Sequence, residues 1–245
     1  MMNCTEILMA KDKMEEECGV FGIYSKEINE VAQITYYGLY ALQHRGQESA
    51  GISVSNFGEI VTYKGMGLTA DVFTPETLNN LVGNAAIGHV RYSTTGASKL
   101  ENAQPLESRY KLGQIAVAHN GNLTNAKIIR ELLEDAGSTF NTSIDSEVII
   151  KMIARKANGN VEDAIRSTVG AIKGAYALVI LAGNKLVGVR DPYGIRPLCL
   201  GINENGDYIL ASESCAIDAV GGTLIRDVLP GEMVIIDENG VKSVK

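Results

Sequence analysis

Cys18 stands at the end of a short acidic leader and directly before an apolar, glycine-spaced run, in MEEECGVFGIY (14–24). Cleavage between Glu17 and Cys18 would leave a thiol and an α-amino group on one residue. With an α-amino pKa of roughly 7.7–8.0, such an amine can take the thiol proton near neutral pH, and no side-chain histidine is required. The same cysteine also fits as a packing residue that opens a core strand, because an unmodified cysteine behaves as a small hydrophobe.

Four further stretches carry groups that could serve such a nucleophile. In LQHRGQESAG (42–51), His44 and Arg45 offer donors where a helix gives way to a strand, or a basic cap on the helix dipole. In GHVRYSTTG (88–96), Arg91 closes a strand. Its guanidinium fork suits an amino-acid carboxylate, or a structural ion pair. His89 reads as a core histidine, since no second ligand stands at metal-site spacing. In AHNGNLTN (118–125), the Asn120 amide and the Gly121 backbone N–H are two donors that could meet at an oxyanion. The alternative is an Asn-Gly turn before a helix capped by Asn125, with His119 packing or capping beside it. In NTSIDSE (141–147), Asp145 and Glu147 either cap a helix or grip a ligand ammonium. RDPYGIRPLCLG (190–201) and ASESC (211–215) read as structural turns, with Cys199 and Cys215 in packing. VIIDENG (234–240) lacks the glycine-threonine cradle a phosphate needs, and no GxGxxG, P-loop, GxSxG or HExxH occurs.

The elements that must position these groups follow from periodicity. Strands are expected at 20–24, 51–55, 60–65, 85–92, 114–118, 176–181, 185–190, 198–201, 208–211 and 233–236. Helices are expected at 29–43, from Thr74-Pro75 to near Gly83, from Asn125 to Gly137 with a stripe of Ile128, Ile129, Leu132 and Leu133, at 146–157 and at 161–172. Asn56-Phe57-Gly58 should turn a hairpin, and 93–110 should be a long functional loop. Hairpins outnumber strand–helix–strand crossovers, so the sheets should be largely antiparallel with helices outside them.

The 245 residues are 45% hydrophobic and 21% charged, enough for a large core. A formal net charge of −7 argues against nucleic acid as a partner. No apolar run approaches the ~20 residues of a membrane span, and residues 1–17 lack the pattern of a secretory signal. Four cysteines without CxxC spacing point to reduced thiols in a cytoplasmic protein.

Taken in order, CGVFGIY, LQHRGQESAG, GHVRYSTTG, AHNGNLTN, SIDSE and RDPYGIRPLCLG resemble the class II glutamine amidotransferases, from Cys18 to the end of the sequence. The resemblance implies an α+β protein: a four-layer αββα sandwich of two mostly antiparallel sheets, the N-terminal-nucleophile hydrolase fold. It would occupy 18–245, after a propeptide-like leader at 1–17. By motif position Cys18 is then the nucleophile, and Asn120 with the Gly121 amide forms the oxyanion hole. Arg45 organises the nucleophile's surroundings. Arg91 and Asp145 clamp the α-carboxylate and α-ammonium of glutamine, and Thr94 begins a lid.

The RYSTTG and RDPYGIRPLCLG forms favour the branch whose second domain is a phosphoribosyltransferase. That domain uses the ammonia on phosphoribosyl pyrophosphate, the first step of de novo purine synthesis. No stretch here supplies it. Full-length members imply Mg2+, a homo-oligomer and, in relatives with a propeptide, a 4Fe–4S cluster. No metal or cofactor is expected within this chain, and no membrane partner. Two other readings are a glutaminase domain feeding another acceptor, such as that of glucosamine-phosphate or glutamate synthase, and a non-catalytic glutamine-binding module. The latter would keep Arg91 and Asp145 without needing Cys18 exposed.

Overall fold

The computed structural model describes residues 18–92 and 97–245. The leader 1–17, and Thr94 with the start of its loop, fall outside the described residues. The first sheet has seven strands in the order β11 (Gly222–Asp227), β9 (Cys199–Asn203), β10 (Tyr208–Ala211), β1 (Gly19–Asn29), β4 (Gly83–Arg91), β2 (Ser49–Asn56) and β3 (Glu59–Met66). The second has six, ordered β13 (Gly240–Val244), β12 (Met233–Asp237), β8 (Leu186–Arg190), β7 (Gly174–Ala182), β6 (Gly113–Leu123) and β5 (Leu106–Tyr110). Every pairing between neighbouring strands is antiparallel.

Three apolar layers define the architecture. Phe21, Ile23, Ala86, Val90, Ile52 and Val54 pack on one outer face with α1 (Val31–Ala41) and α7 (Ser214–Ala219). Ile115, Val117, Leu178 and Ile180 pack on the other outer face with α5 (Ser146–Lys156) and α6 (Val161–Val169). Between the sheets lie Val20, Tyr24, Ile87, Ala116, Ala118, Val179 and Leu181. Helix, sheet, sheet, helix is the expected four-layer order. Side chains alternate along a strand, so these clusters also fix the parity of every other residue. On β1, positions 20, 22 and 24 face the inter-sheet layer, as do 85, 87, 89 and 91 on β4, 49, 51, 53 and 55 on β2, and 116, 118 and 120 on β6.

Several sequence expectations change. β1 runs on to Asn29, so the first helix begins at Val31, and a 3-10 turn at Gln43–Arg45 follows it. In the β2–β3 hairpin Asn56 pairs with Glu59, leaving Phe57 (φ 48°) and Gly58 (φ 106°) as the turn. The turn accepts phenylalanine because Asn84 Oδ1 and Ser55 Oγ receive the two turn N–H groups. Thr74 and Pro75 start a helix as expected, α3 (Pro75–Asn79), which stops short of Gly83. The 93–110 segment is not loop throughout, since β5 occupies its end.

β11, β13, α7 and a single turn α2 (Thr69–Val72) were not foreseen from periodicity. α4 (Ala126–Asp135) follows Asn125, but the Asn125 side chain does not cap it. It accepts from Lys173 N and donates to Ala171 O instead, closing the approach to β7. Of the predicted stripe on α4 only Leu133 is buried; Ile128 and Leu132 are exposed. No helix among the described residues is long and apolar enough to cross a membrane.

Candidate active site

β1 begins where antiparallel β4 ends: Gly19 is paired with Val90, so Cys18 and Arg91 meet at one end of the first sheet. β6 brings Asn120 to the same end from the opposite sheet. The link is direct, because His89 Nε2 lies 3.0 Å from the His119 carbonyl oxygen. Arg91 and Asn120 therefore share the inter-sheet parity, and Cys18, just before β1, stands at the same end of the sandwich.

The Cys18 thiol contacts the backbone of Tyr92, with Sγ 3.5 Å from both its N and its O. Cys18 has φ 54°, a left-handed conformation that costs a non-glycine residue on the order of 1 kcal/mol. Two contacts hold the start of β1 in place. Arg45 Nε donates to the Cys18 carbonyl at 2.7 Å. Ser212 brackets Val20, its Oγ accepting from Val20 N and its N donating to Val20 O, each at 3.0 Å.

Arg45 is itself buried and paired with Glu213, which also receives His44 at 3.2 Å. Burial pushes the Glu213 carboxyl up, but the hydrogen bonds from Arg45 and His44 win and leave its pKa below the ordinary value. Read from sequence as a structural turn, ASESC thus supplies the anchor of the arginine that holds the Cys18 carbonyl. Cys199 is buried as expected, whereas Cys215 is exposed on α7.

Arg91 is 3% exposed and pairs with Glu48 while reaching the Ala97 carbonyl at 3.4 Å. Asn120 is fully buried, and among the described residues neither its Oδ1 nor its Nδ2 has a hydrogen-bond partner. Leaving a buried amide unpaired costs about 1–3 kcal/mol, so the two orphaned atoms at this end of the layer call for an explanation. Asn120 and Gly121 do not form a turn: both lie in β6, paired with Ala177 and Tyr176. At Gly121 φ is 144°, and an added Cβ would come within 2.0 Å of the Ala175 carbonyl oxygen. No other residue fits there.

Asp145 is brought to β6 from the other side. It stands at the start of α5 without capping it; Oδ2 accepts from Leu123 N at 2.8 Å, and Oδ1 lies 3.7 Å from His119 Nδ1. A cavity of about 320 Å3 opens beside it, with Asn122, Leu123, Lys127 and Ser143 in its wall. Asp145 thus belongs to the helix side of the β6 end, not to the layer that holds Cys18. Glu147, the second carboxylate of its motif, is committed to the backbone N–H groups of Asn141 and Thr142 and to the Thr142 hydroxyl.

Both histidines near the site are deeply buried. Burial pushes His89 down to about 3, with the His119 carbonyl opposing and His119, Arg91 and Lys64 adding to the fall. His119 is also lowered, by burial first and Arg196 last, against the pull of Asp145. Among the described residues no group of three or more histidine, cysteine or acidic side chains stands together as metal ligands.

Residues 89–219 match the glutamine amidotransferase domain family. The chain is 47% identical over 231 residues to an amidophosphoribosyltransferase of Bacillus subtilis, covering 94% of this chain and 48% of that protein. To that of Methanocaldococcus jannaschii it is also 47% identical over 231 residues, covering 93% and 49%. Among solved structures, a glutamine phosphoribosylpyrophosphate amidotransferase from B. subtilis complexed with ADP and GMP matches with a TM-score of 0.86 at 46% identity. That match covers 93% of this chain and 49% of the other. The chain spans about half the length of the relatives it matches. The likeness carries the N-terminal-nucleophile hydrolase fold with it, in agreement with the four layers described above.

Proposed function

The chain belongs to the glutamine amidotransferase domain family, and on that premise we propose that it is the glutaminase half of an amidophosphoribosyltransferase. It hydrolyses glutamine through a thioester on Cys18, and the ammonia serves a phosphoribosyltransferase half acting on phosphoribosyl pyrophosphate. The observation that carries the reading is the meeting of Cys18, Arg91 and an unpartnered, buried Asn120 amide at one end of the inter-sheet layer.

Cleavage after Glu17 frees the Cys18 amine. It also removes the strain of φ 54°, since an N-terminal residue has no φ. The amine takes the thiol proton, and the thiolate attacks the glutamine carboxamide carbon. Asn120 Nδ2 and the Gly121 N–H donate to the oxygen that becomes negative, where preorganised donors matter most. The ammonium returns its proton to the departing nitrogen, ammonia leaves, and a γ-glutamyl thioester remains. Water then adds to the thioester, the thiolate departs, and glutamate is released.

Arg45 fixes the Cys18 carbonyl, and with it the direction of the thiol. The glutamine carboxylate adds to the Arg91 guanidinium, whose five donors can serve Glu48 and a second carboxylate together. Asp145 takes the α-ammonium from the helix side of the β6 end. In this reading the Mg2+, any 4Fe–4S cluster and the contacts of a cytoplasmic homo-oligomer belong to the whole protein and lie outside the residues that do this chemistry.

The test is intact mass of a preparation that turns over glutamine, before and after a diazoketone analogue of glutamine, with peptide mapping. We expect a chain that starts at Cys18 and carries one adduct on that residue. Full turnover by chains that all retain residues 1–17 would overturn the N-terminal mechanism.

A further inference from the structure

We infer that Gln104 is a positioning residue for the oxyanion hole: with His89, it fixes the backbone at His119, from which the Asn120 amide is aimed. The inference rests on the reading of Asn120 as an oxyanion donor.

Pairing of β5 with β6 begins at Leu106 opposite Val117, so no β5 residue lies opposite His119. There the backbone is held by side chains. Gln104 Oε1 accepts from His119 N at 2.8 Å, and Gln104 Nε2 donates to His119 O at 3.3 Å. One carboxamide thus presents an acceptor and a donor as a neighbouring strand would. His89 Nε2 lies 3.0 Å from the same oxygen. A carbonyl only accepts, so that nitrogen carries the proton, and the ring is neutral at working pH.

Both anchors come from outside the sheet they serve. His89 belongs to β4. The Gln104 backbone rests on β2, where a Cβ on Gly51 would come within 2.2 Å of the Gln104 carbonyl oxygen. Lys64 of β3 donates to the neighbouring Ala103 carbonyl at 2.6 Å. The Asn120 amide has no partner of its own, so no hydrogen bond sets its rotamer. Its aim is inherited from the backbone at 119–121. A misplacement of about 1 Å in such a group can cost on the order of 10²-fold in rate.

A cap that merely protects a sheet edge would show the same bonds, and a double-mutant cycle separates the two roles. Glutamine hydrolysis by the processed chain is measured for Gln104→Leu, Asn120→Ala and the double variant. We expect Gln104→Leu to lower kcat by about 10–100-fold with KM moved by less than about threefold, and to add less than about threefold once Asn120 is already alanine. Gly51→Ala, which displaces the Gln104 backbone, should show the same non-additivity and serves if Gln104→Leu does not fold. Factors that multiply in the double variant would overturn the proposal and leave Gln104 a structural cap. Unchanged turnover in Asn120→Ala alone would remove the oxyanion hole itself, and the proposal with it.

Discussion

The inter-sheet face of β2 carries three serines, and their fates differ. Ser53 Oγ is 2.8 Å from the Thr62 hydroxyl, and Ser55 Oγ accepts from Gly58 N at 2.9 Å. Ser49, at the Cys18 end, is 1% exposed and its hydroxyl has no partner. The whole layer divides in the same way. In its middle, Val20, Ile87, Ala116, Ala118 and Val179 bury only hydrocarbon. One or two steps of equal parity further along the same strands stand His89, Arg91 and Asn120, with Cys18 just before β1 at the same end. His89 Nδ1 and both Asn120 amide atoms join the Ser49 hydroxyl as buried groups without partners. The middle is assembled for stability. The end gives up about 1–3 kcal/mol per orphaned group, a cost a bound ligand can remove.

Substituting the orphan for hydrocarbon gives the largest effect this contrast predicts. Asn120→Leu, close in size, should lower the kcat of glutamine hydrolysis by roughly 10²–10³ while leaving the urea midpoint unchanged or higher, because no satisfied hydrogen bond is lost. A strongly destabilised but active variant would show that Asn120 is structural. The complementary change lies in the middle. Ile87 is fully buried, and Ile87→Ala should cost about 2–5 kcal/mol in denaturant unfolding. The kcat per folded molecule should stay within a few-fold of the parent. If Ile87→Ala instead halted turnover in fully folded protein, the two regions would not be separable.

The sequence displayed the candidate reactive groups more fully than their supports. Cys18, Arg91, Asn120 and Asp145 sit in motifs whose residue types announce donors, acids or a nucleophile, and parity then places Arg91 and Asn120 on one face, at the end where Cys18 precedes β1. Gln104 and Glu213 carried no such signal. Each acts by a contact far along the chain, on His119 and on Arg45, and neither spacing nor periodicity encodes a tertiary partner. Gly51 gave a related clue that could be interpreted only afterwards, since a missing side chain shows its purpose when the neighbour that fills the space is known. Among the elements, β5 (LESRY) was hidden because its outward positions are exposed and polar, so an edge strand resembled a loop. The apolar stripe on α4 misled in the opposite direction, with Ile128 and Leu132 left exposed beside the buried Leu133.

The smallest effect is a pH dependence that only the site end can supply. His89 and His119 are both buried and both titrate below the ordinary value of 6.5, His89 near 3. As pH falls through about 6.5, the unfolded chain binds protons that the folded chain refuses. The stability contributed by the neutral rings is therefore complete above that pH and is lost on acidification, with a slope approaching ~1.4 kcal/mol per pH unit for His89 and a contribution of the same sign from His119. Urea midpoints between about pH 7 and pH 5.5, above the range where carboxylates titrate, should fall accordingly. His89→Gln keeps a donor for the His119 carbonyl but cannot take up a proton, so it should remove one histidine's share of that slope. An undiminished slope would mean that His89 is charged in the fold and that its Nδ1 has found a partner. Ile87→Ala, set among hydrocarbon on the same strand, should lower the curve without tilting it, because no ionisable group of the middle region changes its surroundings.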